Sequence, residues 1–289
     1  DFTFFASLST IAMAGLKPVV VDVNKDTFQM DLEDLKNKIS VNTSAIMPVH
    51  IYGQGSNIQE LINIANQNKL KVIEDAAQVL GVKYDFHDKN NIKKKHLGTF
   101  GDLGVFSLYA DKTITTGEGG IICTNDDQLF EKIKALRNYG RPNSGTFIHQ
   151  NMGMNFRITD MQGALLNVQL LKLNDIKEQR NETYSIYKDE FLKFGFKTMK
   201  IDSRSDFIPF RFPVLVNDPQ EIINDLNKAN IQTRRFFYPM HRQPALSKYK
   251  LNKCSNSNYL YEHGICLPVH KEITKEDIKK MLTIFKRHI

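Results

Sequence analysis

Through its first 125 residues the chain alternates short aliphatic runs with stretches of helical spacing, and no other feature limits its fold so strongly. Residues 18–23 (PVVVDV), 44–49 and 71–74 (KVIE) read as strands. Between them, residues 31–39 begin on Asp31, and residues 57–68 set Ile58, Leu61, Ile62 and Ile64 at helical intervals. Strands separated by helices predict βαβ units on a mainly parallel sheet. Helices cover both faces of such a sheet, which explains runs that are continuously Val- and Ile-rich.

Beyond residue 98 the pattern loosens. Glycines become dense, and two apolar runs, residues 105–109 and 120–123, flank a polar stretch. Residues 128–138 read as a helix. A helical pattern then continues from Thr159 to about Phe194, longer than an ordinary globular helix, so a break near Asn174 and Asp175 or a bridge between domains is expected. A strand at 207–216, a helix at 219–229, a loop of aromatics and prolines, and an amphipathic helix at 275–288 follow. With 289 residues there is material for one large domain or two ordinary ones. The expected division is a large α/β domain over residues 1–172 and a smaller α+β domain over residues 173–289.

Composition removes several classes. No run of 18 apolar residues occurs, so no membrane helix is expected, and no low-complexity tract suggests disorder. Lys and Arg number 39 against 32 Asp and Glu, a net charge of +7 that suits anionic partners such as phosphates. The lysines are dispersed, however. Their main run, Lys93 to Lys95, lacks interleaved aromatics and reads as a solvated loop, so no nucleic acid is expected. Cys123, Cys254 and Cys266 form no CxxC pair, which argues against zinc or a disulfide framework and suits a reducing, cytoplasmic compartment. His50, His149 and His270 are scattered, and no metal is expected.

Three segments carry chemistry. In Ile73-Glu74-Asp75-Ala76-Ala77-Gln78 a strand runs straight into Asp75, at the carboxyl edge where open α/β sheets bind ligands. An acid there with small neighbours can lie beneath a flat ring; taken alone, a helix N-cap is the better account. In the second, residues 101–120 (GDLGVFSLYADKTITTGEGG), Lys112 follows an apolar strand and precedes a Gly/Thr-rich turn. A lysine packed on a strand is desolvated, which lowers its pKa and makes it a Schiff-base nucleophile. Ser107 offers a hydroxyl to a phosphate. The plainer account is a surface lysine in a hairpin. In the third, residues 152–162 (MGMNFRITDMQ), Asn155 and Arg157 precede a helix that Thr159 or Asp160 can cap. Polar groups on such a loop either reach an anion or only serve the helix start.

In this order, EDAAQ, FSLYADKTITTGEGG and GMNFRITDMQGAL resemble the DegT/DnrJ/EryC1/StrS family of sugar aminotransferases, pyridoxal-phosphate (PLP) enzymes. The resemblance spans essentially the whole chain and takes in residues 2–7 (FTFFAS), 18–22, 49–54 (VHIYGQ) and Leu267-Pro268. It implies an α/β, aspartate-aminotransferase-like (PLP fold type I) large domain with a mostly parallel sheet, plus a smaller C-terminal α+β domain. It also implies roles. Lys112 would bind PLP and shuttle a proton between the α-carbon and C4′. Asp75 would pair with the pyridine nitrogen, Gln78 would bond the ring's phenolic oxygen, and Phe4 and Ala77 would lie on opposite faces of the ring. Ser107 would bind the phosphate. Asn155 would reach the phosphate of the neighbouring subunit's cofactor, because sites in this family lie at a homodimer interface. Family dehydratases carry His where Lys112 stands, so the lysine implies transamination. The family also has a further N-terminal segment with a Gly-Thr or Gly-Ser phosphate turn. This chain opens after it, on Asp1, which implies a partial or truncated sequence.

Residues 233–241 (TRRFFYPMH) resemble a substrate-side loop of perosamine-synthase-like enzymes. That implies amination at C4 of a nucleotide-linked 4-keto-6-deoxy sugar, with L-glutamate as donor. Aromatics can pack on a sugar or base, and Arg and His can meet a pyrophosphate. His241, Phe237 and Arg157 are the expected substrate-binding residues, with a packed interdomain loop as the alternative for His241. C3 amination, a dehydratase and a non-catalytic relative are the other readings.

Overall fold

The computed structural model describes residues 1–88, 91–143 and 145–288. In chain order it opens with α1 (Phe5–Met13) and α2 (Leu32–Lys38), then β1 (Ala45–Ile46), α3 (Ile58–Gln67) and β2 (Lys71–Asp75). A hairpin of β3 (Lys83–Asp88) and β4 (Asn91–His96) follows, and then β5 (Leu103–Ser107), β6 (Gly120–Cys123) and α4 (Asp127–Leu136). Next come α5 (Asp160–Leu171), α6 (Leu173–Leu192), β7 (Lys197–Thr198), β8 (Phe212–Leu215) and α7 (Pro219–Lys228). The chain closes through β9 (Arg234–Arg235), α8 (Ser255–His263), β10 (Gly264–Leu267) and α9 (Lys275–Phe285).

One sheet has the order β1-β2-β5-β6. Its first three strands are parallel and β6 is antiparallel, so the expected mostly parallel sheet is present. Helix α3 shows how local sequence builds it. Ile58, Leu61 and Ile64 form one stripe, are buried to 3% exposure or less, and share a cluster with Val72 of β2. Each such side chain contributes roughly 1.5–3 kcal/mol by leaving water. Helix α2 starts where Asp31 accepts hydrogen bonds from the amides of Glu33 and Asp34. A second sheet, β7-β8-β10-β9, is antiparallel throughout and packs its own core with Tyr187, Phe191, Ile278 and Phe285.

Several expectations need correction. Residues 18–23 are buried at Val20, Val21 and Val23, yet they form only an isolated bridge from Val23 to Met30, because no ladder partner lies beside them among the described residues. Lys93 to Lys95 lie in β4, not in a loop. They pair with residues 84–86 of β3 in an antiparallel hairpin, with the charges kept at its surface: Lys93 pairs with Asp88, Lys94 with Asp206 at 3.0 Å, and Lys95 sits over the Phe100 ring. The long helical pattern breaks at Lys172, two residues before the expected place. Only Phe212–Leu215 of the 207–216 run is strand; the preceding residues leave the ladder to reach the site below. No helix of the described residues is long and apolar enough to cross a membrane.

Candidate active site

Successive side chains of a strand point to opposite faces, so the end of β2 delivers two carboxylates in two directions. Glu74 is fully buried and accepts from the backbone N–H groups of Phe100 (2.6 Å), Gly101 (2.7 Å) and Gly98 (2.8 Å) and from His50 Nε2 (2.9 Å). The Ser56 N–H donates to His50 Nδ1, which turns Nε2 toward Glu74 as the donor. Burial pushes the Glu74 carboxyl up, but the hydrogen bonds from His50, Gly101 and Gly98 prevail and hold it below its usual value.

Asp75 faces the other way. Its Oδ2 accepts from Ser7 Oγ at 2.7 Å and its Oδ1 from the Ala77 N–H at 3.2 Å. The N-cap account of Asp75 fails, because residues 76–82 are turns and no helix starts there. Gln78 spends its Oε1 on the Tyr52 N–H (2.8 Å), which fixes the amide and leaves its NH2 as the donor end. Tyr52 stacks on Phe237 with centroids 5.7 Å apart, and Phe4, 63% exposed, meets Phe237 edge-on at 6.5 Å.

Lys112 stands in the loop between β5 and β6, its N–H bonded to the Tyr109 carbonyl. The surface-lysine account fails too: the side chain is only 16% exposed. Burial pulls its ammonium below the ordinary lysine range, opposed by the carboxylates of Asp111 and Asp75 and assisted by Arg211. Its Nζ lies 3.6 Å from Asp111 Oδ1 and 4.8 Å from the centre of the Phe210 ring. That ring arrives because Gly53, at φ +99°, has no Cβ; one added there would sit 1.8 Å from the Ile208 carbonyl oxygen. The Ile208 N–H instead donates to Gly53 O at 3.1 Å. From α6, Arg180 donates to the carbonyls of Pro209 (3.2 Å) and Lys112 (3.4 Å), tying both segments together.

The other expected residues are distributed. Ser107 ends β5 beside β2, and its oxygen accepts from the Tyr109 N–H at 3.2 Å, leaving the hydroxyl hydrogen to donate. Asn155 and Arg157 lie on an exposed loop and bond each other, Arg157 Nε to Asn155 Oδ1 at 3.0 Å; neither touches Asp75 or Lys112 among the described contacts. Thr159 and Gln162 form the capping box that starts α5. His241 is turned to the Asp1 carboxylate, Nδ1 to Oδ2 at 2.8 Å, beside Cys254. A cleft lined by Leu8, Ile11, Val19, Val21 and Ile46 adjoins the site through Thr3 and Ser7, although neither Asp75 nor Lys112 lines it.

The DegT/DnrJ/EryC1/StrS aminotransferase family profile matches residues 1–286. The chain belongs to that family. This aminotransferase is 31% identical to the GDP-perosamine synthase of Vibrio cholerae over 297 residues, covering 99% of this chain and 78% of that relative. It is 30% identical to the dTDP-3-amino-3,6-dideoxy-alpha-D-galactopyranose transaminase of Aneurinibacillus thermoaerophilus, covering 99% of this chain and 77% of the relative. Among solved structures, a DegT DnrJ EryC1 StrS aminotransferase from Brucella abortus superposes with a TM-score of 0.88 at 26% identity, covering 99% of this chain and 78% of that one.

Enzymes of this family depend on PLP, and the donor set suits it. A desolvated amine, a carboxylate at the strand end, an oriented amide NH2 and a free hydroxyl hydrogen match a carbonyl, a ring nitrogen, a phenolic oxygen and a phosphate. Sequence reasoning missed Ser7, Tyr52, Asp111, Arg180, Phe210 and Arg211. One signal was available: Arg211 interrupts an otherwise apolar run, PFRFPVLV, and a charge inside such a run needs a partner.

Proposed function

We propose that this nucleotide-sugar aminotransferase moves an amino group from L-glutamate to C4 of a nucleotide-linked 4-keto-6-deoxy sugar. The observation that carries the amine-transfer chemistry is Lys112, desolvated within the field of Asp75 at the carboxyl edge of a parallel strand. Bound PLP supplies the electron sink. Lys112 then holds and returns the proton of the reacting carbon. Asp75, braced by Ser7, would keep a proton on the ring nitrogen. Gln78 would donate to the phenolic oxygen and Ser107 to the phosphate. Phe4, in edge contact with Phe237, and Ala77 would hold the ring between them.

The C4 position is supported by the resemblance of the TRRFFYPMH segment, in which Phe237 packs on Tyr52 and meets Phe4 edge-on. His241 and Arg157 are assigned to the sugar nucleotide. A homodimer is supported by exposed apolar side chains on one stretch of the chain: Met152, Phe156, Met161 and Leu171 are each more than 70% exposed, on the same stretch as Asn155 and Arg157. A second copy would cover them and bring Asn155 to its neighbour's site. The division into domains of 1–172 and 173–289 is proposed on the two sheets, which are joined by a cluster that packs Phe2, Phe28 and Tyr52 of the first domain against Phe210, Phe236 and Cys266 of the second. Amination at C3 is the second reading, favoured by the Aneurinibacillus relative.

The test is absorption of the purified protein with PLP, before and after L-glutamate, followed by NMR of the product sugar. A yellow lysine-bound band that bleaches with glutamate, and an amine on C4, are expected. Lys112→Ala should abolish turnover with the fold intact; product formation by that variant would refute the assignment. An amine on C3 would move the reading to the second one, and a dehydrated product without new nitrogen would defeat both.

A further inference from the structure

Beside Lys112 the charges do not balance. Asp111 offers one carboxylate to two cations, Oδ1 to Lys112 Nζ at 3.6 Å and Oδ2 to Arg211 Nη2 at 3.1 Å. Arg180 donates to the Lys112 carbonyl at 3.4 Å, and its pKa is lowered by burial first, with Arg211 adding to the shift and Asp111 opposing it. Arg211 has five N–H donors and, among the described residues, spends only one of them on a protein acceptor. Its side chain is 23% exposed, with its guanidinium carbon 5.0 Å from the centre of the Phe210 ring that also carries Lys112. A guanidinium held on one edge by a carboxylate and on one face by a ring presents its remaining N–H groups in a fixed fork, the geometry that takes a second carboxylate.

We infer that Arg211 is the seat of the amino donor's carboxylate. The inference rests on the amine-transfer reading and adds the subsite that reading lacks. Distance selects the anion. In an α-amino acid the carboxylate is bonded to the carbon that bears the amine, so its seat must lie within a few ångströms of the amine exchanged at Lys112. In a 4-keto sugar nucleotide the pyrophosphate is separated from the reacting carbon by the sugar ring. Only the first arrangement fits an arginine and a lysine that share the two oxygens of one aspartate. Asp111 is 43% exposed and competes for the same fork. Arg180 is pinned to two backbone carbonyls and keeps the fork's surroundings positive.

The test measures binding of glutarate, which has the donor's carboxylates but no amine to react, to the PLP-loaded protein by calorimetry. Arg211→Gln should weaken glutarate at least tenfold, Arg211→Lys should fall between it and the parent, and Asp111→Asn should tighten glutarate. GDP or UDP, whichever the parent binds, should bind Arg211→Gln with unchanged affinity. Circular dichroism identifies any variant that fails to fold; should Arg211→Gln be one, the Arg211→Lys and Asp111→Asn pair decides by its opposite signs. The inference is overturned by parent-like glutarate affinity in the Arg211 variants, by a parent that binds no glutarate, or by loss of nucleotide in place of glutarate. Failure of the amine-transfer reading is separate, because it shows as absence of the lysine-bound PLP band in the parent.

Discussion

Glu74 and Asp75 are adjacent in sequence, and their surroundings differ in almost every respect. Glu74 is sealed from solvent and all four of its hydrogen bonds come from groups that cannot leave: three backbone amides of one loop and the ring of His50. Asp75 is part-exposed, holds one hydroxyl and one amide, and lies in the field of a lysine. The first carboxylate is saturated and has no capacity left for a ligand. The second is deliberately under-coordinated. Saturation suits a group that fastens the fold, and spare capacity beside a desolvated amine is what the role proposed for Asp75 requires.

Replacing each in turn should separate the two roles. Glu74→Ala strands four donors, two of them buried and two part-buried, and removing one member of a buried charged network costs about 3–5 kcal/mol. For a chain of this size that lowers Tm by roughly 10 °C. Thermal unfolding within a degree of the parent would show that the Glu74 network adds nothing to stability. Asp75→Asn should do the reverse. The amide still accepts from Ser7, so Tm should stay within about 2 °C, while turnover falls about 10²–10³-fold, the scale of losing one preorganised charge at a reacting centre. An unchanged rate would make Asp75 merely a loop acceptor and erase the contrast.

The sequence and the structure meet unevenly. The parallel sheet, the α3 stripe and the Asp75–Gln78 and Lys112 segments were readable because each is local: periodicity for the first two, motif order for the rest. What was not readable depends on contacts far along the chain. Lys93 to Lys95 form a strand by pairing with residues 84–86 of β3, and Lys94 then meets Asp206, more than a hundred residues away. Glu74 carried no sign of its four donors, since Gly98, Phe100 and Gly101 reach it only once β2 and β5 pair. No motif marks Arg211, whose surroundings depend on Gly53, which lets residues 208–211 approach Lys112. Positions set by side-chain pattern were legible; positions set by where two loops cross were not.

A finer test uses pH. The folded state lowers the pKa of Lys112, first through burial. The unfolded chain therefore binds that proton more tightly, and where the two states differ, stability rises with pH. The window lies below the ordinary lysine pKa of 10.5 and opens at the depressed folded value. Measured without PLP, the parent should gain stability relative to Lys112→Met as pH climbs through that window. A constant difference between the two proteins would mean that Lys112 titrates as a solvated lysine and that its side of the site is no drier than the surface.

The smallest expected effect concerns the brace behind Asp75. A carboxylate only accepts, so Ser7 must donate to it, and the Ser7 oxygen must then accept from Thr3 Oγ1 at 3.0 Å. This fixes a proton chain, Thr3 to Ser7 to Asp75, that aims one carboxylate oxygen and leaves the other nearly free. Ser7→Ala removes one hydrogen bond to a charged group, worth about 1 kcal/mol or a little more net, so turnover should fall roughly five- to tenfold. As Ser7 acts through Asp75, the loss should appear in kcat with KM for the donor held, and Ser7→Thr, which restores a hydroxyl, should recover most of it. Equal losses in the Ala and Thr variants would point to packing at α1, where Ser7 is buried, and would leave Asp75 positioned by its own backbone alone.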